Sequence, residues 1–301
     1  MHKSKTLIVI AGPTASGKTA LAVQLAQHWQ TEILSADSRQ CYKELGIAVA
    51  KPSLEEMAGI PHYFIDSHFI REDVNAGTFE NYGLNTLNNI FSKNDIAIMV
   101  GGTGLYIKSL CEGIDEMPNI PIEVREEITQ QFQVNGLSWL QTEVAEKDPL
   151  FWDNSKEKDN PQRLMRALEF VNFTGESIQN FKTDSKIERP FNIVRFAIDW
   201  DRPSLYDRIN FRVDQMLEKG LVEEAKNLFP YRHLNALNTV GYKELFDHFD
   251  GNISLDQAIE QIKINTRHYA KRQITWFKKD TSIEWISATD LDTIIDKVEN
   301  R

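Results

Sequence analysis

The stretch Gly12–Thr19, GPTASGKT, has the residue types and spacing to hold a phosphate. It fits G-x-x-x-x-G-K-[ST], with Gly12, Gly17, Lys18 and Thr19 in the fixed places. The glycines let backbone N–H groups close on an anion. A helix beginning at the loop adds partial positive charge from its N-terminus. Lys18 supplies a mobile cation, and the Thr19 hydroxyl is placed to bind Mg²⁺. The loop does not say whose phosphate it holds.

Other residues could work beside it. Asp37 ends the run Glu32–Asp37, and ligands of an open parallel sheet sit outside the carboxyl ends of strands. Asp37 could act on the same ligand or serve as a cap or turn residue. The polar Ser38-Arg39-Gln40 that follows offers partners to a second substrate. Gly101-Gly-Thr-Gly104 closes the run Asp95–Val100 where a phosphate-loop NTPase normally carries an Mg²⁺-binding Asp. It delivers glycines and the Thr103 hydroxyl instead, either as a tight turn or as a second close approach to an anion. His62–Asp66 only weakly resembles that Mg²⁺-binding motif. Arg163 and Arg166 share a helix face, whether for binding or simply solvated. Arg208 and Arg212, one turn apart, could clamp a diphosphate or pair with Asp207, Asp214 or Glu218. Lys263, Arg267, Lys271, Arg272, Lys278 and Lys279 form the most basic segment, interleaved with Tyr269, Trp276 and Phe277. Such a segment suits either a polyanion or a solvated helix.

These residues need a scaffold. Thr6–Ala11 is a short apolar, β-branched run and reads as a buried strand; Ala20–Trp29 repeats apolar residues at helical spacing. Helices are expected over Gly77–Phe91, Leu105–Leu110, Glu123–Phe132, Leu137–Val144, Gln162–Phe173 and one long helix over Pro203–Leu228. A strand is expected over Phe191–Ile198. The fold class is α/β: a P-loop NTPase-like parallel sheet flanked by helices, formed by residues 1–116 and 190–301. Residues 117–189, entered through a proline-marked connector, read as an all-helical insertion domain.

At 301 residues the chain can bury a large core, and 41% hydrophobic with 26% charged residues is ordinary for a globular protein. No apolar run approaches the roughly 18–20 residues that span a bilayer, so no membrane partner is expected. Met1–Lys5 leads straight into the first strand and leaves no room for a signal peptide. Cys41 and Cys111 lie far apart, in no metal-ligand spacing, which suits a reducing cytoplasm. A net charge of −10 disfavours a nucleic-acid partner unless a local basic face reverses it.

Several stretches together resemble the bacterial tRNA dimethylallyltransferase (isopentenyltransferase) family over nearly the whole chain. They are GPTASGKT, SADSRQ at Ser35, AKPS at Ala50, GGTGLY at Gly101, NPQRLMRALE at Asn160, RINFRVDQM at Arg208, VGYKEL at Val240 and KRQITWF at Lys271. The resemblance implies transfer of a dimethylallyl group from its diphosphate to N6 of the adenosine 3′-adjacent to the anticodon. Gly12, Thr14, Ala15, Ser16, Gly17, Lys18 and Thr19 would hold the prenyl donor's diphosphate, with Mg²⁺ at Thr19. Asp37 would be the base or hydrogen-bond acceptor for the adenine amine, with Thr103 and Arg212 stabilising the leaving diphosphate. Asp37, Ser38, Arg39, Gln40, Arg125, Gln162, Arg163 and Arg166 would contact the anticodon stem-loop of tRNA, the insertion closing on it. Charge adds Lys271 and Arg272 to those contacts. A cytoplasmic monomer is expected, without the eukaryotic zinc-finger extension, since no cysteine/histidine cluster precedes Arg301. A phosphate-loop kinase of nucleosides or small molecules, or a non-enzymatic RNA-binding module, are the rival readings.

Overall fold

The structure is a computed structural model that describes residues 5–115, 117–183 and 185–300. Met1–Ser4, the expected boundary at Glu116 and the terminal Arg301 therefore lie outside the described residues. The chain divides into two compact units, residues 1–113 with 187–301, and residues 114–186.

The larger unit is built on one sheet. Its strands are β1 (Thr6–Ala11), β2 (Ile33–Ala36), β3 (His62–Tyr63), β4 (Ile96–Gly101), β5 (Asn192–Ile198) and β6 (Glu284–Ile286). They run parallel in the order β3-β2-β4-β1-β5-β6. Its helices are α1 (Lys18–His28), α2 (Leu54–Met57), α3 (Ala76–Phe91), α4 (Gly104–Glu112), α8 (Arg202–Glu218), α9 (Leu221–Leu228), α10 (Tyr242–Phe249), α11 (Leu255–Phe277) and α12 (Leu291–Glu299). A parallel strand covered on both faces must be apolar at every position. β1 shows the consequence: Leu7, Val9 and Ala11 enter one core cluster, with Phe79, Leu110 and Leu245, while Ile8 and Ile10 enter the other, with Leu21, Leu25 and Ile294.

Register fixes where a site can form. Gly101 pairs with Ala11 on β1 and with Ala36 on β2, so the three strands end level. The phosphate loop, Asp37 and the 101–104 glycines therefore emerge side by side.

Residues 114–186 are all helical among the described residues: α5 (Ile122–Lys147), α6 (Pro149–Asn154), α7 (Pro161–Thr174) and a 3₁₀ turn at Ile178–Phe181. Gly136, at φ 74°, breaks α5 between the two helices expected there. A separate core gathers Ile128, Leu140, Val144, Leu164, Leu168 and Phe170.

One expectation needs correcting, one weak match is set aside, and two elements went unforeseen. The helix expected over Pro203–Leu228 is two helices, because Gly220 takes the left-handed conformation (φ 97°) and α9 restarts after it. His62–Asp66 yields only a two-residue edge strand. Asp66 is ion-paired with Lys51 there rather than placed as an Mg²⁺ ligand, and Phe64 is buried against Phe79, Tyr82 and Tyr106. The terminal β6 and α12 were not expected, although Leu291, Ile294, Ile295 and Val298 fall at helical spacing in α12 and pack into the core.

One buried ion pair ties the sheet's helical cover to the chain entering β5. Arg189, 8% exposed, meets Glu80, 12% exposed, and also donates to Ser109 O and Leu110 O. Removing one partner strands the other charge away from water. Glu80→Ala is expected to cost roughly 3–5 kcal/mol in denaturant unfolding; a change under about 1 kcal/mol would show that the pair is solvated and optional.

Candidate active site

A cavity of about 800 Å³ opens where the strands end. Thr14–Ala20 line it on one side and Ser35 and Asp37–Gln40 on another. Arg208, Arg212, Tyr269, Arg272 and Gln273 complete its polar surface.

The phosphate loop is bent as its sequence requires. Gly17 sits at φ 87°, where a side chain would be strained, and hands over to α1. Side chains far away in the chain hold the loop. Arg208 Nε donates to Ala15 O at 2.8 Å while its guanidinium lies 4.7 Å from the Trp200 ring. Trp200 Nε1 donates to Ser16 O at 2.9 Å. Gln273, from α11, accepts from Thr14 N–H at 2.9 Å and donates to Gly102 O at 2.8 Å. The alternatives left open for Arg208 and Arg212 thus resolve toward the loop: Arg212 Nη1 donates to Thr14 Oγ1 at 3.3 Å. Asp214 pairs with Lys263 instead.

Gln273 escaped the sequence reading. It lies inside KRQITWF, where charge drew attention to its neighbours. The signal was in the glycines: a Cβ on Gly102 would fall 2.2 Å from Gln273 Nε2, and one on Gly104 2.2 Å from Trp276. Gly102 and Gly104 are glycines because α11 packs onto the turn, and Gly101 because the backbone of Ala36 lies against it.

Electrostatically the cavity favours an anion. Burial, then the nearby Arg212 guanidinium, pull the Lys18 ammonium down to about 8, with Asp37 opposing. Burial also lowers Arg212, again countered by Asp37. The Ser16 hydroxyl is buried with no hydrogen-bond partner among the described residues, a donor suited to a phosphate oxygen. Asp37 Oδ1 accepts from Arg39 N–H at 2.9 Å and Gln40 N–H at 3.2 Å. The residue is thus a turn-former and a cavity group at once, its second oxygen having no hydrogen-bond partner among the described residues.

Other expected residues fall elsewhere. Thr103 is not among the cavity-lining residues; its hydroxyl accepts from Ser38 N–H at 3.0 Å and hydrogen-bonds Tyr269, whose phenol burial pushes up to about 12. The Arg39 guanidinium donates to Asn235 O and Asn238 O at 3.0 and 3.4 Å. In the helical unit, Arg125 and Arg166 both meet Glu169, at 3.5 and 3.3 Å, while Arg163 pairs with Glu157 and Gln162 is exposed. The expected basic stripe splits: Lys263 and Arg267 bind Asp214 and Asn210 of α8, whereas Lys271, Arg272 and Lys279 line a separate groove with His268, Thr275 and Trp276. Arg272 lines both groove and cavity.

For a divalent cation the cavity offers hard oxygen donors at Thr19, Ser35 and Asp37. No cluster of three or more His, Cys, Asp or Glu that could hold a metal occurs among the described residues. That donor set fits Mg²⁺ held largely by water and phosphate oxygens, with one or two protein oxygens.

A parallel sheet delivering a glycine–lysine loop, two arginines and a carboxylate to one cavity defines a P-loop-type enzyme acting on a phosphorylated substrate. The comparisons sharpen this. The IPP transferase family model matches residues 40–280. A tRNA dimethylallyltransferase of Cytophaga hutchinsonii is 46% identical over 98% of this chain and 97% of its own length. One from Christiangramia forsetii is 45% identical over 99% of each. The crystal structure of a Bacillus halodurans tRNA isopentenylpyrophosphate transferase superposes with a TM-score of 0.71 at 34% identity, covering 98% of this chain and 95% of that one. A eukaryotic dimethylallyltransferase acting on tRNA gives 0.78 at 27% identity, covering 99% and 80%. The chain belongs to the IPP transferase family and is a prenyl-transferring enzyme. The kinase and binding-module readings are thereby set aside. No helix among the described residues is long and apolar enough to cross a membrane.

Two measurements follow from the geometry. Gln273→Ala leaves Thr14 N–H and Gly102 O without their partner, and is expected to cost roughly 1–3 kcal/mol of stability and to weaken binding of inorganic diphosphate. Wild-type values for both would show the bridge to be incidental. Lys18 is charged below about pH 8 and neutral above it, and an anion binds the charged form. Diphosphate affinity is therefore expected to fall as pH rises through about 8, approaching a slope of tenfold per pH unit. Lys18→Arg stays charged and should lose that dependence; parallel profiles for the two proteins would refute it.

Proposed function

We propose that this chain transfers the dimethylallyl group of dimethylallyl diphosphate to N6 of the adenosine 3′-adjacent to the anticodon of tRNA, releasing diphosphate. The observation that carries the reading is that Asp37, Lys18 and Arg212 line one cavity, so a base and a diphosphate cradle share one space.

The exocyclic amine of adenine is a weak nucleophile, because its lone pair is delocalised into the ring. It must lose a proton as the N–C bond forms. Asp37, oriented through Oδ1, receives that proton at its second oxygen and passes it to solvent. The C–O bond to the donor breaks, and the leaving diphosphate takes the bonding pair. Lys18, Arg212 and the loop N–H groups, Gly12 to Thr19, meet that growing charge where it develops. Mg²⁺, held at Thr19 and through water, would neutralise more of it. Thr103 orients Ser38 and Tyr269 in this arrangement; donation to the bridging oxygen would need its hydroxyl to rotate.

The target base must leave its stack to enter the cavity, at a cost of roughly a few kcal/mol. Contacts to the anticodon stem-loop fall in this reading to Ser38, Arg39 and Gln40 at the cavity. Lys271 and Arg272 add contacts in the groove, and Arg125, Gln162, Arg163 and Arg166 on the helical unit, which closes on the tRNA. The protein works as a cytoplasmic monomer, where unmodified tRNA is found.

Incubation with labelled dimethylallyl diphosphate and unmodified tRNA tests this, with ATP as a control donor. Label is expected on one adenosine, lost on chelation and restored by Mg²⁺. Asp37→Asn keeps an oxygen for the turn but removes the base, and should lower kcat about 10²–10⁴-fold with tRNA binding retained. Absence of label on adenosine with the wild-type protein would overturn the reading.

A further inference from the structure

One wall of the cavity is made of Ala48, Val49, Ala50 and Pro52, small residues that have nothing in their own side chains to fix a loop. Glu224, on α9, fixes it. Its Oε2 accepts from Gly46 N–H and Ile47 N–H at 3.1 and 2.7 Å, and its Oε1 accepts from Ala48 N–H at 3.0 Å and the Tyr242 hydroxyl at 2.7 Å. Successive N–H groups gathered on one anion form a nest, here filled by the protein's own carboxylate. Gly46 leaves it room, since a Cβ there would stand 2.9 Å from Oε2.

The opposite side of the same loop is held by Gln40. Its Nε2 donates to Val49 O at 3.2 Å and Ala50 O at 3.1 Å, and its backbone N–H donates to Asp37 Oδ1 at 3.2 Å. The wall is therefore held by Glu224 at its start, by a hydrogen-bonded chain that ends on Asp37, and away from the cavity by Lys51, whose ammonium donates to Tyr42 O at 2.7 Å and pairs with Asp66. Glu224 itself is not among the cavity-lining residues. The break at Gly220 puts it in place: α9 restarts there and buries Leu221, Ala225 and Leu228.

We propose that Glu224 is a positioning residue for prenyl transfer: through the nest at Gly46–Ala48 it sets the Ala48–Pro52 wall, and through Gln40 the alignment of Asp37. The inference rests on the function proposed above. The diphosphate cradle is built from other residues, Gly12–Thr19, Arg208 and Arg212. Loss of Glu224 should thus act on turnover and spare diphosphate binding, whereas a purely structural glutamate would lower both together through the folded fraction.

The test uses the full chain with Glu224→Ala and Glu224→Gln. It reads amide exchange at Gly46–Ala48, affinity for inorganic diphosphate, and kcat and KM for dimethylallyl diphosphate with tRNA in excess. For Glu224→Ala, faster exchange at the three amides and a kcat about tenfold to a hundredfold lower are expected, since a misplacement near 1 Å can have that effect. Diphosphate affinity and KM should stay within about threefold. Glu224→Gln, with one acceptor oxygen left, should fall between Glu224→Ala and wild type, and it decides the question if Glu224→Ala does not fold. Wild-type kcat with unprotected amides would overturn the proposal, as would diphosphate affinity falling in step with kcat. A wild-type protein without transferase activity would instead overturn the proposed function, and amide exchange alone would then decide whether Glu224 holds the wall.

Discussion

The larger unit depends on keeping like charges close together. Lys18, Arg208 and Arg212 all line one cavity, and burial lowers the pKa of Lys18 and of Arg212 below their ordinary values. Such a cluster repels itself and loses hydration, so it persists only where other groups fix it. Two kinds of group do so. Backbone carbonyls receive the cations: Pro13 O takes Lys18 Nζ at 3.1 Å and Ala15 O takes Arg208 at 2.8 Å. Asp37 then supplies the opposing charge. The neutral side chains Gln273 and Trp200 tie the loop to α11 and to the segment before α8. Positive charge is thereby left facing the cavity.

That division of labour explains what was legible in the sequence. The strands announced themselves because a parallel sheet covered on both faces needs unbroken apolar runs, as in Thr6–Ala11 and Ile96–Gly101. The loop was legible because its glycines and lysine answer to local geometry alone. Asp37 could be placed from its position after β2. Gln273 and Glu224 could not, since each acts on a segment far away in the chain, Thr14 and Gly46–Ala48 respectively, and neither carries a local pattern. The same limit misplaced α8 and α9: helical periodicity continues across Gly220, and one glycine within a helix pattern does not by itself mark a stop.

Charge was the least local signal and the most easily misread. A helical stripe of Lys263, Arg267 and Lys271 looks uniform by spacing, yet α8 takes the first two through Asp214 and Asn210. What remains toward the groove is set by packing, which composition does not report.

The acidic total of −10 says less about a polyanionic substrate than where the cations stand and which of them are already engaged. Many of the acids are partners of structural cations: Glu80 with Arg189, Glu112 and Asp280 with Arg195, Glu169 with Arg125 and Arg166. These pairs differ in how readily they could be traded for a phosphate. Glu169 has a side chain only 7% exposed, so drawing its arginines away would strand a carboxylate out of water. Arg163 and Glu157 are 60% and 45% exposed, and a pair that open contributes about 0–1 kcal/mol. Exchanging that glutamate for a phosphate oxygen costs little. In the proposed complex Arg163 is therefore the arginine of the helical unit that a phosphate could draw off its glutamate most cheaply, while Arg125 and Arg166 would have to meet RNA without leaving Glu169.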